Sequence, residues 1–140
     1  MVLRLVHGFA ALVLIGFLIF ESAKYGWTMG AVVIAFSLLP DIALIGAFDR
    51  SRPGMLLRSR VRFYNALHRP WAGLVLFVVG AVVVLPALGG VDDAGKLVAV
   101  AGLAWLAHIA VDRALGYGLR DADGAIRATG RTRASVPCRA

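Results

Sequence analysis

The sequence predicts an all-α fold, an integral membrane four-helix up-down bundle, from three observations. Hydrophobic residues make up 60% of the 140 residues and charged residues only 16%. A soluble domain is about half apolar and about a quarter charged, and a chain this short cannot bury so much apolar surface in one core. The apolar residues form four blocks near bilayer-spanning length, and the charges gather between the blocks and at the C-terminal end.

Four predicted spans follow one another within a single transmembrane domain, residues 1–119. They cover about residues 5–22, 25–48, 66–88 and 97–118. A helix needs about 20 apolar residues to cross the hydrocarbon, and the short first block gains length if Arg4 and Lys24 extend to the two interfaces. A cleaved signal peptide is the alternative reading of that block, but Glu21 stands where cleavage needs a small residue. Short connections make consecutive helices antiparallel neighbours.

Small residues and one proline predict where the helices approach closely. Gly73 and Gly80 lie seven apart on the third span, and Ala101 and Ala104 offer a similarly smooth face on the fourth. Pro40 removes a backbone donor from the second span and frees a carbonyl close to the next residue, an aspartate.

The distribution of arginines predicts the orientation of the chain. The net charge is +7, and the connection between the second and third spans carries Arg50, Arg52, Arg58, Arg60 and Arg62. Residues 120–140 are predicted to form a basic, loosely ordered cytoplasmic tail. Because basic loops stay on the cytoplasmic side, we expect both termini there, in a bacterial inner membrane, with anionic lipid headgroups at Arg50–Arg62 and the tail.

The sequence also bears on nucleic-acid binding, cysteine chemistry and oligomeric state. Nucleic acid is not expected, because the basic residues are not interleaved with aromatic residues in a recognition module. The single cysteine, Cys138, excludes an internal disulfide and a cysteine-based zinc site. The sequence does not decide whether the chain forms a homo-oligomer, which is one possible partner.

Five ionisable residues lie within or at the edges of the apolar blocks, where a carboxylate costs several kcal/mol unless it is paired, hydrated or metal-bound. They are His7, Asp41, His68, His108 and Asp112. At 1.5 Å per residue, Asp41 is predicted to lie ~10 Å in from a helix end at Phe48. Asp112 is expected at a similar depth, and His108 shares its helix face. Asn65 precedes His68 by about one turn. All four helices therefore bring a polar group to one half of the membrane.

Carboxylates and imidazoles at one level could hold a divalent metal such as zinc or manganese. The predicted ligands are Asp41, His68, His108 and Asp112, with His7 and Asn65 in support. A metal-bound water would then hydrolyse an ester or phosphoester of a lipid-like molecule, with Asp41 and Asp112 as catalytic carboxylates. Two alternatives stay open. The cluster could lock helix packing through polar contacts worth ~0.6–2 kcal/mol each, or the chain could be a small transporter.

Three segments carry a family resemblance. WLAHIAVDRALGYGL (Trp105–Leu119) resembles the hallmark of the uncharacterised bacterial membrane protein family called domain of unknown function 4260. LLPDIALIG (Leu38–Gly46) and YNALH (Tyr64–His68) agree with it in order and spacing, and the resemblance spans about Leu3 to Thr129. It implies a small multi-pass membrane protein with no established activity. The chain departs from the family pattern at His7, where relatives commonly carry a glutamate.

A looser similarity connects the chain with the membrane-bound metal-dependent hydrolases. Those proteins also place an aspartate after a proline, a histidine at the start of a helix and a histidine–aspartate pair on a late helix. Residue by residue, this similarity implies a site made of Asp41, His68, His108 and Asp112.

Overall fold

The computed structural model describes residues 1–84 and 93–127, in which the regular secondary structure is helical apart from two isolated β-bridges. The α-helices are α1 (Val2–Tyr25), α2 (Trp27–Leu38), α3 (Arg58–Leu67), α4 (Trp71–Val78) and α5 (Asp93–Leu115). A 3₁₀-helix (Leu39–Leu44) continues α2, and a π-helix (Val79–Val84) continues α4. Four helical stretches are long and apolar enough to cross a membrane: Val2–Tyr25, Trp27–Leu44, Arg58–Val82 and Ala94–Leu115. The predicted all-α membrane fold class is confirmed.

The fourth span, α5, is the centre of the bundle. About 56% of its most apolar window is buried, against 11–17% for the other three spans. Its buried face is rich in alanine, which lets the other helices approach closely. Leu18 of α1 and Met29 of α2 pack there against Val100 and Ala104 of α5. The other spans leave large apolar side chains exposed, as helices in contact with lipid do.

Helices α1 and α5 run antiparallel. Gly8 of α1 lies beside Ala114, near the end of α5, whereas Leu18, further along α1, lies beside Val100, near its start. The connection between α1 and α2 is a single residue, Gly26, with φ 79° and ψ −160°. Only glycine adopts that conformation readily, so it permits the reversal between the first two spans.

A seam of small residues joins the third span to α5. A Cβ at Gly73 would lie 3.0 Å from the Gly102 carbonyl oxygen. Cβ atoms at Gly80 and Gly102 would overlap backbone atoms of Ala99 and Phe77, respectively. The predicted close approach at Gly73 and Gly80 is therefore confirmed. On α5, Gly102 lies against the backbone of the third span.

Two span boundaries differ from those predicted. The second span ends at Leu44 and not near residue 48, so Asp41 lies only three residues from its end. The third span begins at Arg58 and not at 66, because arginine favours helix formation and the segment is amphipathic. Val61 and Tyr64 of α3 are buried, whereas the arginines of α3 are exposed. Arg58, Arg60 and Arg62 therefore belong to a helix and not to a loop.

The last described residues fold back onto the bundle. We call residues 117–127 the C-terminal strap. Arg120 and Ile126 form an isolated bridge within it, and the Gly124 carbonyl accepts a hydrogen bond of 3.0 Å from the Leu56 N–H. Arg120 is only 6% exposed. Thus residues 120–127, which the sequence assigned to a loosely ordered tail, are bonded to the bundle; residues 128–140 lie outside the described residues.

A compact turn precedes α3 and predicts a pH effect. Ser51 donates to Asp49 Oδ1 through its hydroxyl (2.6 Å) and its backbone N–H (2.9 Å), and Arg52 Nε donates to Oδ2 at 2.7 Å. The Ser51 hydroxyl, followed by Arg52, lowers the pKa of Asp49 from its usual 3.8 to about 2. A carboxyl lowered in this way stabilises the turn above its unfolded pKa, and this stabilisation disappears as the pH falls through the folded value. We expect an intact turn above about pH 4 that is lost towards pH 2. The amide chemical shift of Ser51 measures this, and an Asp49→Asn variant should show no such transition.

Candidate metal centre

Three elements bring the predicted ligands together. Asp41 lies in the 3₁₀-helix, directly after the buried Pro40, which occupies its first turn. His68 ends α3, where Pro70 cannot donate a backbone hydrogen bond and the helix is interrupted. His108 and Asp112 lie four residues apart on α5 and share one face. The interruptions in the second and third spans therefore lie next to an unbroken helix that carries two of the ligands.

The four side chains meet around the two imidazole Nε2 atoms. Asp112 Oδ2 is 3.5 Å from the Nε2 of His68 and 3.5 Å from that of His108. Asp41 Oδ1 is 3.8 Å from the Nε2 of His68 and 3.6 Å from that of His108. Hydrogen bonds between nitrogen and oxygen measure about 2.7–3.2 Å, so these distances are too long for good hydrogen bonds.

Both Nε2 atoms are buried and have no hydrogen-bond partner among the described residues. The residue His68 is only 3% exposed, and the His108 side chain is 13% exposed. A buried polar atom without a partner costs about 1–3 kcal/mol and is rare in native proteins. Two such atoms facing the same pair of carboxylates give this cluster the geometry of a site that could hold a metal ion.

The outer ring nitrogen of His68 fixes which nitrogen faces the carboxylates. Nδ1 of His68 lies 3.0 Å from the backbone carbonyl oxygen of Tyr64, and a carbonyl can only accept, so Nδ1 carries the hydrogen. In the neutral ring, Nε2 then has its lone pair free. The His108 ring also makes a hydrogen bond with the backbone of Ser37. Metal-binding histidines typically have their second nitrogen held in this way.

The spacing suits a metal ion. One ligand atom from each of Asp41, His68 and His108 lies within 4.8 Å of the others, so the group is geometrically able to bind a metal. In a tetrahedral zinc site with bonds of about 2.0–2.1 Å, neighbouring ligand atoms are about 3.3 Å apart. The nitrogen–oxygen distances of 3.5–3.8 Å are close to that value. Asp112, the fourth predicted ligand, is not part of this group of three, although its Oδ2 lies 3.5 Å from both imidazole Nε2 atoms.

Three further residues hold the backbone and ring of His68, and the sequence did not single them out for this role. The indole Nε1 of Trp105 donates to the Leu67 carbonyl at 2.8 Å, and Arg113 Nη2 donates to the His68 carbonyl at 3.3 Å. The Tyr64 ring stacks on the His68 ring, with centroids 3.8 Å apart and an interplanar angle of 19°. One signal was available: Trp105 precedes His108 by three residues and therefore lies on the same side of α5.

The two predicted supporting residues lie elsewhere. His7 forms a 2.7 Å hydrogen bond through Nδ1 with the Leu3 carbonyl of its own helix. The Asn65 side chain pairs with the backbone of Arg120, donating to its carbonyl at 2.8 Å and accepting from its N–H at 2.7 Å. Neither residue is among those whose ligand atoms meet.

Fold and site together define a small helical membrane protein with a buried Asp/His cluster. A family model described as domain of unknown function (DUF4260) matches residues 2–129, and the chain belongs to this family. The resemblance read from three segments is thereby confirmed, and the matched region contains all four residues of the cluster. Comparisons with curated proteins and with solved structures give no match. The looser similarity to membrane-bound metal-dependent hydrolases stays a prediction.

Proposed function

We propose that this chain is a membrane metalloprotein that binds a divalent cation, such as zinc or manganese, and hydrolyses a lipid-like ester or phosphoester. The proposed ligands come from Asp41, His68, His108 and Asp112, of which one aspartate acts as the general base of hydrolysis in place of binding the ion. The observation that supports this most strongly is the pair of buried, unpartnered Nε2 atoms facing two carboxylates at 3.5–3.8 Å. Neutral imidazole and carboxylate are the ligands that zinc and manganese accept.

The chemistry divides among the four side chains. A bound divalent ion would polarise the substrate and make a water nucleophilic near neutral pH. The two imidazoles hold the ion, and one carboxylate accepts the proton of the attacking water. Asp41 is better suited than Asp112 to accept this proton, because its side chain is 46% exposed and that of Asp112 is only 20% exposed. A substrate would therefore enter beside Asp41.

The surroundings of Asp41 support a lipid-like substrate. Three apolar residues within four positions of it are strongly exposed: Leu38 at 60%, Ile42 at 53% and Ile45 at 73%. An amphiphile can place its apolar part against such a surface while its polar ester reaches a half-exposed carboxylate. The mouth of the site would then open sideways towards the bilayer and not only towards water.

Charge supports an orientation with the site on the cytoplasmic side of a bacterial inner membrane. The exposed arginines of α3 and of the preceding connection lie in chain segments adjacent to Asp41 and His68. Because positively charged segments stay cytoplasmic, both termini would lie in the cytoplasm, and these arginines would meet anionic lipid headgroups.

Locking of the helices by the same residues is less well supported. A locking role requires each acid to form a short hydrogen bond with a histidine, an arginine or a hydroxyl group. Here Asp41 and Asp112 face imidazole nitrogens at longer distances, while Arg113 and Arg120 donate to backbone carbonyls. These two arginines therefore stabilise the backbone, and the carboxylates of Asp41 and Asp112 remain able to bind a metal ion.

Metal analysis of the purified full-length chain tests this function. After loading with Zn²⁺ or Mn²⁺ and removal of the excess, we expect a single ion per chain by mass spectrometry. His108→Ala should weaken binding by more than about 100-fold, since loss of an outer-sphere partner alone costs about 10–100-fold. His7→Ala, which removes a histidine outside the cluster, should bind like the native chain. Native protein that retains neither metal, or equal binding by His108→Ala, would overturn the proposal.

A further inference from the structure

A buried arginine in the C-terminal strap has no ion-pair role among the described residues. Arg120 is 6% exposed, and its Nη1 donates to the carbonyls of Gly54 (2.8 Å) and Gly124 (3.2 Å). The two strap aspartates bind other arginines, Asp121 with Arg127 and Asp123 with Arg58. Burying a guanidinium is costly, and here no carboxylate within the described ranges offsets that cost. Its position therefore points to another purpose.

The backbone of Arg120 is fixed against α3. Asn65 pairs with both its N–H and its carbonyl at 2.7 and 2.8 Å, as a neighbouring strand would. Gly124, with φ 89°, lies so close to Leu56 that a Cβ there would overlap the Leu56 carbonyl oxygen. The strap is thus held on both sides, and the guanidinium has a defined position.

From that position Arg120 contacts the ring that stacks on a proposed metal ligand. Its guanidinium carbon is 5.5 Å from the Tyr64 ring centroid, within the range of a cation–π interaction. The Tyr64 ring stacks on His68, and its hydroxyl donates to the Gly118 carbonyl of the strap at a long 3.4 Å. Two contacts in series therefore connect Arg120 to the His68 ring, and the Tyr64 hydroxyl makes a second contact with the strap.

We infer that Arg120 is a positioning residue for His68, acting through the aromatic ring of Tyr64. The inference rests on the proposed function, because the purpose of the positioned ring is to direct Nε2 towards Asp41 and Asp112. The Tyr64 carbonyl fixes the Nδ1 side of the imidazole, and the stacked Tyr64 ring limits its tilt. Without Arg120, the Tyr64 ring loses its cationic neighbour and the stack is free to shift.

Metal affinity of matched arginine variants tests the inference. We expect Arg120→Met to weaken Zn²⁺ binding by about 10–100-fold, the usual effect of losing an outer-sphere partner. Arg127→Met removes an exposed arginine of the same strap and should leave affinity unchanged. Arg120→Lys keeps a cation near the ring and should fall between the native chain and Arg120→Met. Equal affinity of Arg120→Met and Arg127→Met would overturn the inference.

A second pair of variants separates positioning from general destabilisation. Tyr64→Phe keeps the ring and the backbone acceptor and loses only the long hydroxyl contact with Gly118, so it should retain more Zn²⁺ affinity than a variant without the ring. Tyr64→Leu removes the ring and should match the loss in Arg120→Met. If Tyr64→Phe loses as much affinity as Tyr64→Leu, the stacked ring is not the element through which Arg120 acts.

A readout without metal distinguishes this inference from the proposed function. Diethyl pyrocarbonate modifies imidazole nitrogens, and mass spectrometry gives the rate at each histidine of the metal-free chain. We expect Arg120→Met to raise the rate at His68 several-fold, with a much smaller change at His108 and none at His7. An unchanged rate at His68 contradicts the inference even if the native chain binds metal. A raised rate in a chain that binds no metal supports the positioning and rejects only the metal function.

Discussion

Replacing Gly102 with leucine is expected to disrupt the packing of the third span on the fourth. A side chain there would overlap the backbone of Gly73 and Phe77, and backbone atoms cannot move aside as a flexible side chain can. Overpacking a well-packed core costs about 1–3 kcal/mol, and we expect the upper part of that range or more. Loss of helical circular dichroism on titration with a denaturing detergent measures the effect.

Gly16→Leu is the matched control for this substitution. Gly16 is an exposed residue of α1, and a Cβ there would meet no atom within 4 Å. The control should unfold at the native detergent concentration. If Gly102→Leu unfolds together with it, the third and fourth spans are not packed as closely as the structure describes.

Hydrolysis by the metal-loaded chain is expected to depend on the two aspartates. Vesicles that contain a fluorogenic phosphodiester or ester amphiphile provide the assay, with Zn²⁺ or Mn²⁺ supplied. Asp41→Asn should lower kcat/KM by about 10²–10⁴-fold if Asp41 accepts the proton of the attacking water, which is the usual contribution of a general base. Metal content separates the two roles, because a variant that loses a ligand also loses the ion.

Asp112→Asn is expected to lose the bound ion as well as activity. Its carboxylate is the more buried of the two and lies 3.5 Å from both imidazole nitrogens, so its replacement should lower metal content as well as turnover. Asp121→Asn, an acid of the C-terminal strap, is the control and should behave like the native chain. Turnover that persists at the native rate in both cluster variants would rule out a hydrolytic role for these carboxylates.

The sequence predicted the four spans and the residues of the Asp/His cluster for one physical reason. Hydrocarbon tolerates long apolar helices and penalises charges, so both the blocks and the exceptions within them are visible without a structure. Asp41, His68, His108 and Asp112 were therefore identified together, and their side chains do meet.

Features that depend on distant partners could not be predicted in the same way. Asn65 binds the backbone of Arg120, 55 residues later, and no local pattern announces that pairing. The density of arginines predicts a loop before residue 66, whereas α3 begins at Arg58, buries Val61 and Tyr64 and leaves its arginines exposed. The position of His7 predicts a supporting role in the cluster, but its ring binds a backbone carbonyl of its own helix.

The break at the end of α3 has a consequence for how the protein is made. The carbonyl groups of Leu67 and His68 receive hydrogen bonds only from Trp105 and Arg113 among the described contacts, and both donors are synthesised about forty residues later. In hydrocarbon, an open carbonyl without water or protein is costly. During biogenesis these two carbonyls of the third span would therefore remain hydrated until the fourth span has been synthesised. The third and fourth spans would then insert into the bilayer together, as a helical hairpin.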